Sequence, residues 1–184
     1  VSVIALALAC GVVVGSLLGL VGGGGSMLTV PMLVYLLGAE VRTATATSLV
    51  VVGAAALVGV APHARAGRVA GRTALVFAAA GLVGAPAGAW LGRRLDPDLA
   101  MVLFGGMMLL MAARMLRGAP APPAGTVARA AVSPLAIVAG LGVGVVTGVF
   151  GFGGGFLIVP VLVMALRLPV RMAVGTSLAI IAVN

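Results

Sequence analysis

Apolar residues fill long stretches of the chain, and polar ones gather in short intervals between them. Stretches of spanning length, about 17–25 residues, occupy roughly 1–21, 43–62, 73–91, 98–116 and 133–150. A sixth starts near 172 and reaches Asn184. Each predicts a transmembrane helix, so the fold class is an all-α, polytopic membrane protein. Residues 22–38 depart from this pattern. They are apolar but interrupted, reading GGGGSMLTVP at 22–31, and GFGGGFLIVP recurs at 151–160. Glycine weakens a helix and proline breaks it, and in lipid the freed backbone groups find no water. One helix over 1–38 would run to about 57 Å at 1.5 Å per residue, nearly twice the hydrocarbon thickness of about 30 Å. The stretch 27–38 alone would reach about 18 Å. That length predicts a half-helix or re-entrant segment.

Composition agrees. Of the 184 residues 62% are hydrophobic and 8% charged, with a mean hydropathy of +1.33; soluble domains carry about 25% charged residues. Cys10 is the single cysteine, so no intrachain disulfide or Cys-rich metal site is expected. The chain opens at Val1 without a basic leader, and 1–21 reads as a span. The excess of 11 Lys+Arg over 3 Asp+Glu lies in short loops, where positive charge orients helices. No basic stripe interleaved with aromatics is present, so no nucleic-acid partner is expected. His63, Arg65, Arg68 and Arg72 follow the second span, and Arg114, Arg117 and Arg129 flank the Pro- and Ala-rich linker after the fourth. The alternate loops pair Glu40 with Arg42, and Arg93 and Arg94 with Asp96 and Asp98. The positive-inside bias therefore makes 63–72 and the linker 117–131 cytoplasmic, with a cytoplasmic N-terminus in a bacterial-type cell membrane.

Displacing the sequence by 129 positions superposes Pro31 on Pro160, Gly24–Gly25 on Gly153–Gly154, and Gly11, Gly15 and Gly19 on Gly140, Gly144 and Gly148. Val41–Arg42 meets Val170–Arg171, and Thr47–Ser48–Leu49 meets Thr176–Ser177–Leu178. Matches of Gly, Pro, Arg, Thr and Ser in register indicate a duplication. The expected domains are a first repeat at 1–116, the linker 117–131, and the start of a second repeat at 132–184. With four spans between equivalent points, the two copies are expected to run parallel. Were the half-helix a full crossing, they would be inverted. The second copy stops inside an apolar helix, so the chain is expected to be a fragment of a form with four spans per repeat.

The stretches GLVGGGGSMLTVPMLVYLLG (19–38), TATSL (45–49) and GVFGFGGGFLIVPVLVMALRLPVRMAVGTSLAIIAVN (148–184) resemble the sulfite exporter TauE/SafE family, also called the toluene-sulfonate uptake permeases. The resemblance covers essentially the whole chain. It implies a duplicated carrier of about eight spans for sulfur-containing anions such as sulfite and organosulfonates.

The residues at the breaks supply chemistry for an anion. A helix that starts inside the membrane offers unpaired N–H groups and a positive dipole end, and transporters place such ends near the midplane. Candidate substrate-binding residues are Gly22, Gly23, Gly24, Gly25, Gly151, Gly153, Gly154 and Gly155. Ser26, Thr47, Ser48, Thr176 and Ser177 offer hydroxyls. Arg42 and Arg171 offer planar guanidinium donors, and Asn184 an intramembrane amide seven residues beyond Ser177. Gly11, Gly15, Gly19 and their equivalents have the spacing of close helix packing, and Pro31 and Pro160 suit a first turn. No carboxylate lies within a span, so no proton relay of that kind is legible. His63 reads as an interface residue. No nucleophile–base pair, metal cluster or phosphate loop is present, so no enzyme, metal or cofactor is expected. The expected function is a permease for a small sulfur anion working by alternating access. A non-transporting membrane scaffold or an anion channel is the alternative; oligomeric state is not legible.

Overall fold

A computed structural model describes residues 11–16, 19, 29, 32–35, 38, 40–117, 134–150 and 155–184. The described residues are helical apart from turns and short connections. Among the described residues, 11–16 and 32–35 are helical, and six helices follow with defined bounds: α1 Val41–Arg65, α2 Gly71–Gly92, α3 Pro97–Leu116, α4 Pro134–Phe150, α5 Gly155–Met164 and α6 Val170–Val183. Two stretches, Ala46–Arg65 and Gly71–Gly92, are long and apolar enough to cross a bilayer, with mean hydropathies of 1.7 and 1.8. Large apolar side chains such as Val58, Val83, Val102 and Leu109 point outward, as they do where lipid is the solvent.

Short turns reverse the chain. α1 ends in a Schellman motif, with Gly67 at a φ of 66°. The Gly67 N–H donates to the Ala64 carbonyl and the Arg68 N–H to the His63 carbonyl, at 3.0 and 2.9 Å. Two carbonyls that the helix end would leave open are thereby paired. The turn between α5 and α6 has Arg167 at a φ of 52°, and the Leu168 N–H reaches back to the Leu162 carbonyl at 3.1 Å. Gly38, one repeat displacement before Arg167, has a φ of 66°. The residues before α1 and α6 match as well: Glu40 at φ −60°, ψ 138° and Pro169 at φ −55°, ψ 139°.

The main packing contact joins α2 to α4. Gly84, Gly88 and Gly92 lie under the carbonyls of Leu141, Val145 and Val149, while Gly140, Gly144 and Gly148 lie under those of Phe77, Gly81 and Ala85. A Cβ on Gly84 would stand 2.5 Å from the Leu141 oxygen, and one on Gly140 2.7 Å from the Phe77 oxygen. Residue numbers rise together on both sides, so the two helices are parallel. Without side chains between them, Cα–H groups approach carbonyl oxygens directly, a weak attraction repeated at each step. The packing role expected of Gly140, Gly144 and Gly148 is what the geometry gives. No described atom comes within 4 Å of a Cβ built on Gly11, Gly15 or Gly19.

Helix directions differ from the parallel arrangement expected of the copies. Gly59 of α1 meets Leu178 of α6, and His63 meets Gly175, so these equivalent helices are antiparallel. The reason is α5. Only 10 residues long, about 15 Å at 1.5 Å per residue, it leads with the turn after it to the end where α6 begins. Pro160 also lies inside α5 and not in its first turn.

Two substitutions separate contact from propensity. Gly88→Ala should lower stability by about 1–3 kcal/mol through backbone overlap. Gly142→Ala, with nothing within 4 Å of the new Cβ, should be neutral or stabilising by up to about 1 kcal/mol. Arg167→Gly should gain up to about 1 kcal/mol by relieving left-handed backbone. Denaturant unfolding in detergent micelles reads all three.

Candidate functional site

Five helices enclose a cavity of about 350 Å³, within the range of small-molecule sites. Its polar groups are Ser48 from α1, Thr147 from α4, Gly155 at the start of α5 and Asn184 at the end of α6. Phe77, Val143 and Ile158 are among the apolar residues of its wall. No ionisable side chain lines it among the described residues.

Each position follows from helix periodicity. On α1 the inward stripe runs Ala44, Ser48, Val52, Ala56, all buried, at the four-residue step of one helix face. Ser48 sits on that stripe and reaches the cavity. Thr47, about 100° around the helix, is exposed. Thr147 lies on α4 beside the glycines that meet α2. α5 runs from buried Gly155, and that first residue borders the cavity. Asn184 stands beside Gly81, its Nδ2 3.7 Å from a Cβ built there.

Phe104 of α3 braces the break before α5. Its ring meets Phe150, the last residue of α4, edge-on at 5.2 Å, and Phe156 of α5 edge-on at 5.3 Å. One aromatic thus joins the end of α4 to the first turn of α5, in the edge-on geometry that ring quadrupoles favour.

Of the residues singled out by sequence, the structure gathers Ser48, Gly155 and Asn184 around one cavity. Thr176 and Ser177 are buried outside its lining. Thr176 Oγ1 accepts the Ala70 N–H at 3.0 Å, and Ser177 Oγ donates to the Val174 carbonyl at 2.8 Å. Arg171 is exposed in the first turn of α6. Arg42 lies in the first turn of α1, and because those helices are antiparallel the two positions are at opposite ends. Gly22, Gly23, Gly24, Gly25, Ser26, Gly151, Gly153 and Gly154 lie outside the described residues, as does the N-terminal segment 1–10. Thr147 carries no repeat signal in the sequence, because Leu18 stands 129 positions before it.

Charge separates along the bundle. The α1–α2 turn, the end of α3 and the start of α6 bring Arg65, Arg68, Arg72, Arg114, Arg117, Arg167 and Arg171 to one end. At the other, Glu40 and Asp96 accompany Arg93 and Arg94, and Arg94 stacks 3.7 Å over the Trp90 ring. Phe104→Ala should cost about 1–3 kcal/mol, the sum of two ring pairs, in unfolding experiments. Phe104→Tyr, which keeps the ring, should retain most of it.

A sequence model described as sulfite exporter TauE/SafE matches residues 7–184. A "Probable membrane transporter protein" of Xylella fastidiosa (strain 9a5c) is 42% identical over 173 residues, covering 91% of this chain and 66% of that protein. The "Probable membrane transporter protein YdhB" of Bacillus subtilis is 31% identical over 170 residues, with coverages of 91% and 69%. The chain therefore spans about two thirds of the length of these curated relatives. No solved structure matches. A match over residues 7–184, which takes in both glycine-rich stretches, shows that the chain belongs to the sulfite exporter TauE/SafE family.

Proposed function

We propose that this chain forms the core of a membrane carrier that binds a small sulfur oxyanion or organosulfonate in the cavity between α1, α2, α4, α5 and α6. The observation that carries this reading is a cavity whose described lining has no ionisable side chain and is bordered by the first residue of α5, with hydroxyl and amide groups from three other helices. Backbone N–H groups at a helix start favour an anion through hydrogen bonding and the dipole together. Ser48, Thr147 and Asn184 can donate to remaining oxygens. The glycines of the two breaks, including Gly24 and Gly153, complete the binding surface in this reading. Membership of the sulfite exporter TauE/SafE family and the names of its relatives support a transporter.

Neutral donors suit transport. A buried arginine would hold an anion tightly, whereas dipoles hold it well enough to enter and weakly enough to leave. The arginine-rich end faces the cytoplasm in this proposal, by the positive-inside bias, and the linker 117–131 lies on that side. The two copies are then related by an axis in the membrane plane, as inverted repeats are. The α2–α4 contact ties the first copy to the second, so the bodies that move are not the two sequence halves. α2 with α4 forms one, and α1, α5 and α6 the other.

Flux of labelled sulfite and small sulfonates into vesicles holding the chain tests this reading. Saturable flux is expected; flux that rises linearly with concentration would indicate a channel, and none would indicate a scaffold. Ser48→Ala or Asn184→Leu should each raise KM about ten- to a hundredfold, the loss of one hydrogen bond to a charged group at about 1.5–3 kcal/mol. Gly24→Val and Gly153→Val should abolish transport with insertion intact.

A further inference from the structure

Toward the arginine-rich end, the cavity gives way to buried polar side chains. Thr73 on α2 lies one turn from cavity-lining Phe77, and Ser177 on α6 one turn from Ile181. Thr73, Thr176 and Ser177 are all fully buried. Beyond them lies the loop 66–70, held down on α6 in two ways. The Ala70 N–H donates to Thr176 Oγ1 at 3.0 Å. The Arg68 carbonyl rests on Gly175, where a Cβ would stand 2.6 Å from its oxygen. The seat leaves two polar atoms without partners: Thr73 Oγ1 and His63 Nδ1 are buried and unbonded. Buried polar atoms are nearly always paired. These two bracket the same loop, three residues before it and three after.

We infer that loop 66–70 is a gate, and that the anion passes between the cavity and the arginine-rich end by way of Thr73 and His63 when the loop lifts from Gly175–Thr176. This rests on the carrier reading for its cargo. The seated loop seals the route at the cost of two unpaired polar atoms. The lifted loop loses the Ala70–Thr176 bond but lets water or the anion reach Thr73 Oγ1 and His63 Nδ1. Gains and losses of the same kind on both sides give the near-balanced pair of arrangements that a switch requires. Arg65, Arg68, Arg72 and Arg171 stand around the exit and draw an anion to it.

The gate can be read without any anion. In a Cys10→Ala background, Thr73→Cys provides a thiol for an impermeant reagent applied from the arginine-rich side of oriented vesicles. Adding Thr176→Val should speed labelling at least tenfold, while Thr176→Ser, which keeps the hydroxyl, should label at the parent rate. Equal rates in parent and Thr176→Val would overturn the gate, as would an equal rise in Thr176→Ser. A companion thiol from Ala78→Cys, at a fully buried position on α2, must remain unlabelled; labelling of both sites together would reduce Thr176 to a stabilising role and overturn the gate. Gated labelling with no anion flux would retain the gate and remove the carrier reading, whereas flux with ungated labelling would remove the gate alone.

Discussion

The contact between the glycine faces of α2 and α4 is the constraint on which the arrangement depends. Helices in lipid gain nothing from hiding apolar surface from one another, so they associate through close packing and weak polar contacts. Glycine provides both, because it lets a carbonyl of the neighbouring helix come down onto its Cα. Six such approaches, alternating in direction, fix the relative height and rotation of the two helices. A methyl group at any of them overlaps backbone. Overlap with backbone cannot be relieved by a rotamer change.

That lock determines where the cavity lies. Gly81, Gly140 and Gly144 belong both to the lock and to the cavity wall, so the space exists because the backbones run bare beside it. α1 and α6 then cover the opening with their own inward faces, and α5 starts at its edge. The polar groups that reach the space come from four separate helices. Its chemistry depends on the relative positions of those helices and not on any local motif.

The spans were legible because apolar length is a property of consecutive residues. The stretches read at 73–91, 98–116 and 133–150 are helices Gly71–Gly92, Pro97–Leu116 and Pro134–Phe150. The stripe of Gly140, Gly144 and Gly148 was legible by its even spacing, but its partner was not. On α2 the glycines at 81, 84, 88 and 92 are unevenly spaced and straddle Pro86. The direction of α6 relative to α1 is not legible in the sequence, because a short apolar segment can turn back or continue and its length alone does not say which. Ser48 and Thr47 look alike in sequence and differ by one helical step, which decides burial. Phe104 carries no motif, and its role follows from two rings that the fold brings to it.

Synthesis of the chain runs from the N-terminus, and this order bears on the glycine face of α2. Gly88 leaves the ribosome well before Val145, the residue whose carbonyl covers it. Between these events α2 and α3 are already in the bilayer, with the groove on α2 open to lipid or to the wrong neighbour. Assembly of the bundle must therefore follow insertion of α4, which makes the interval between the two helices the period when an insertase or chaperone has most to protect.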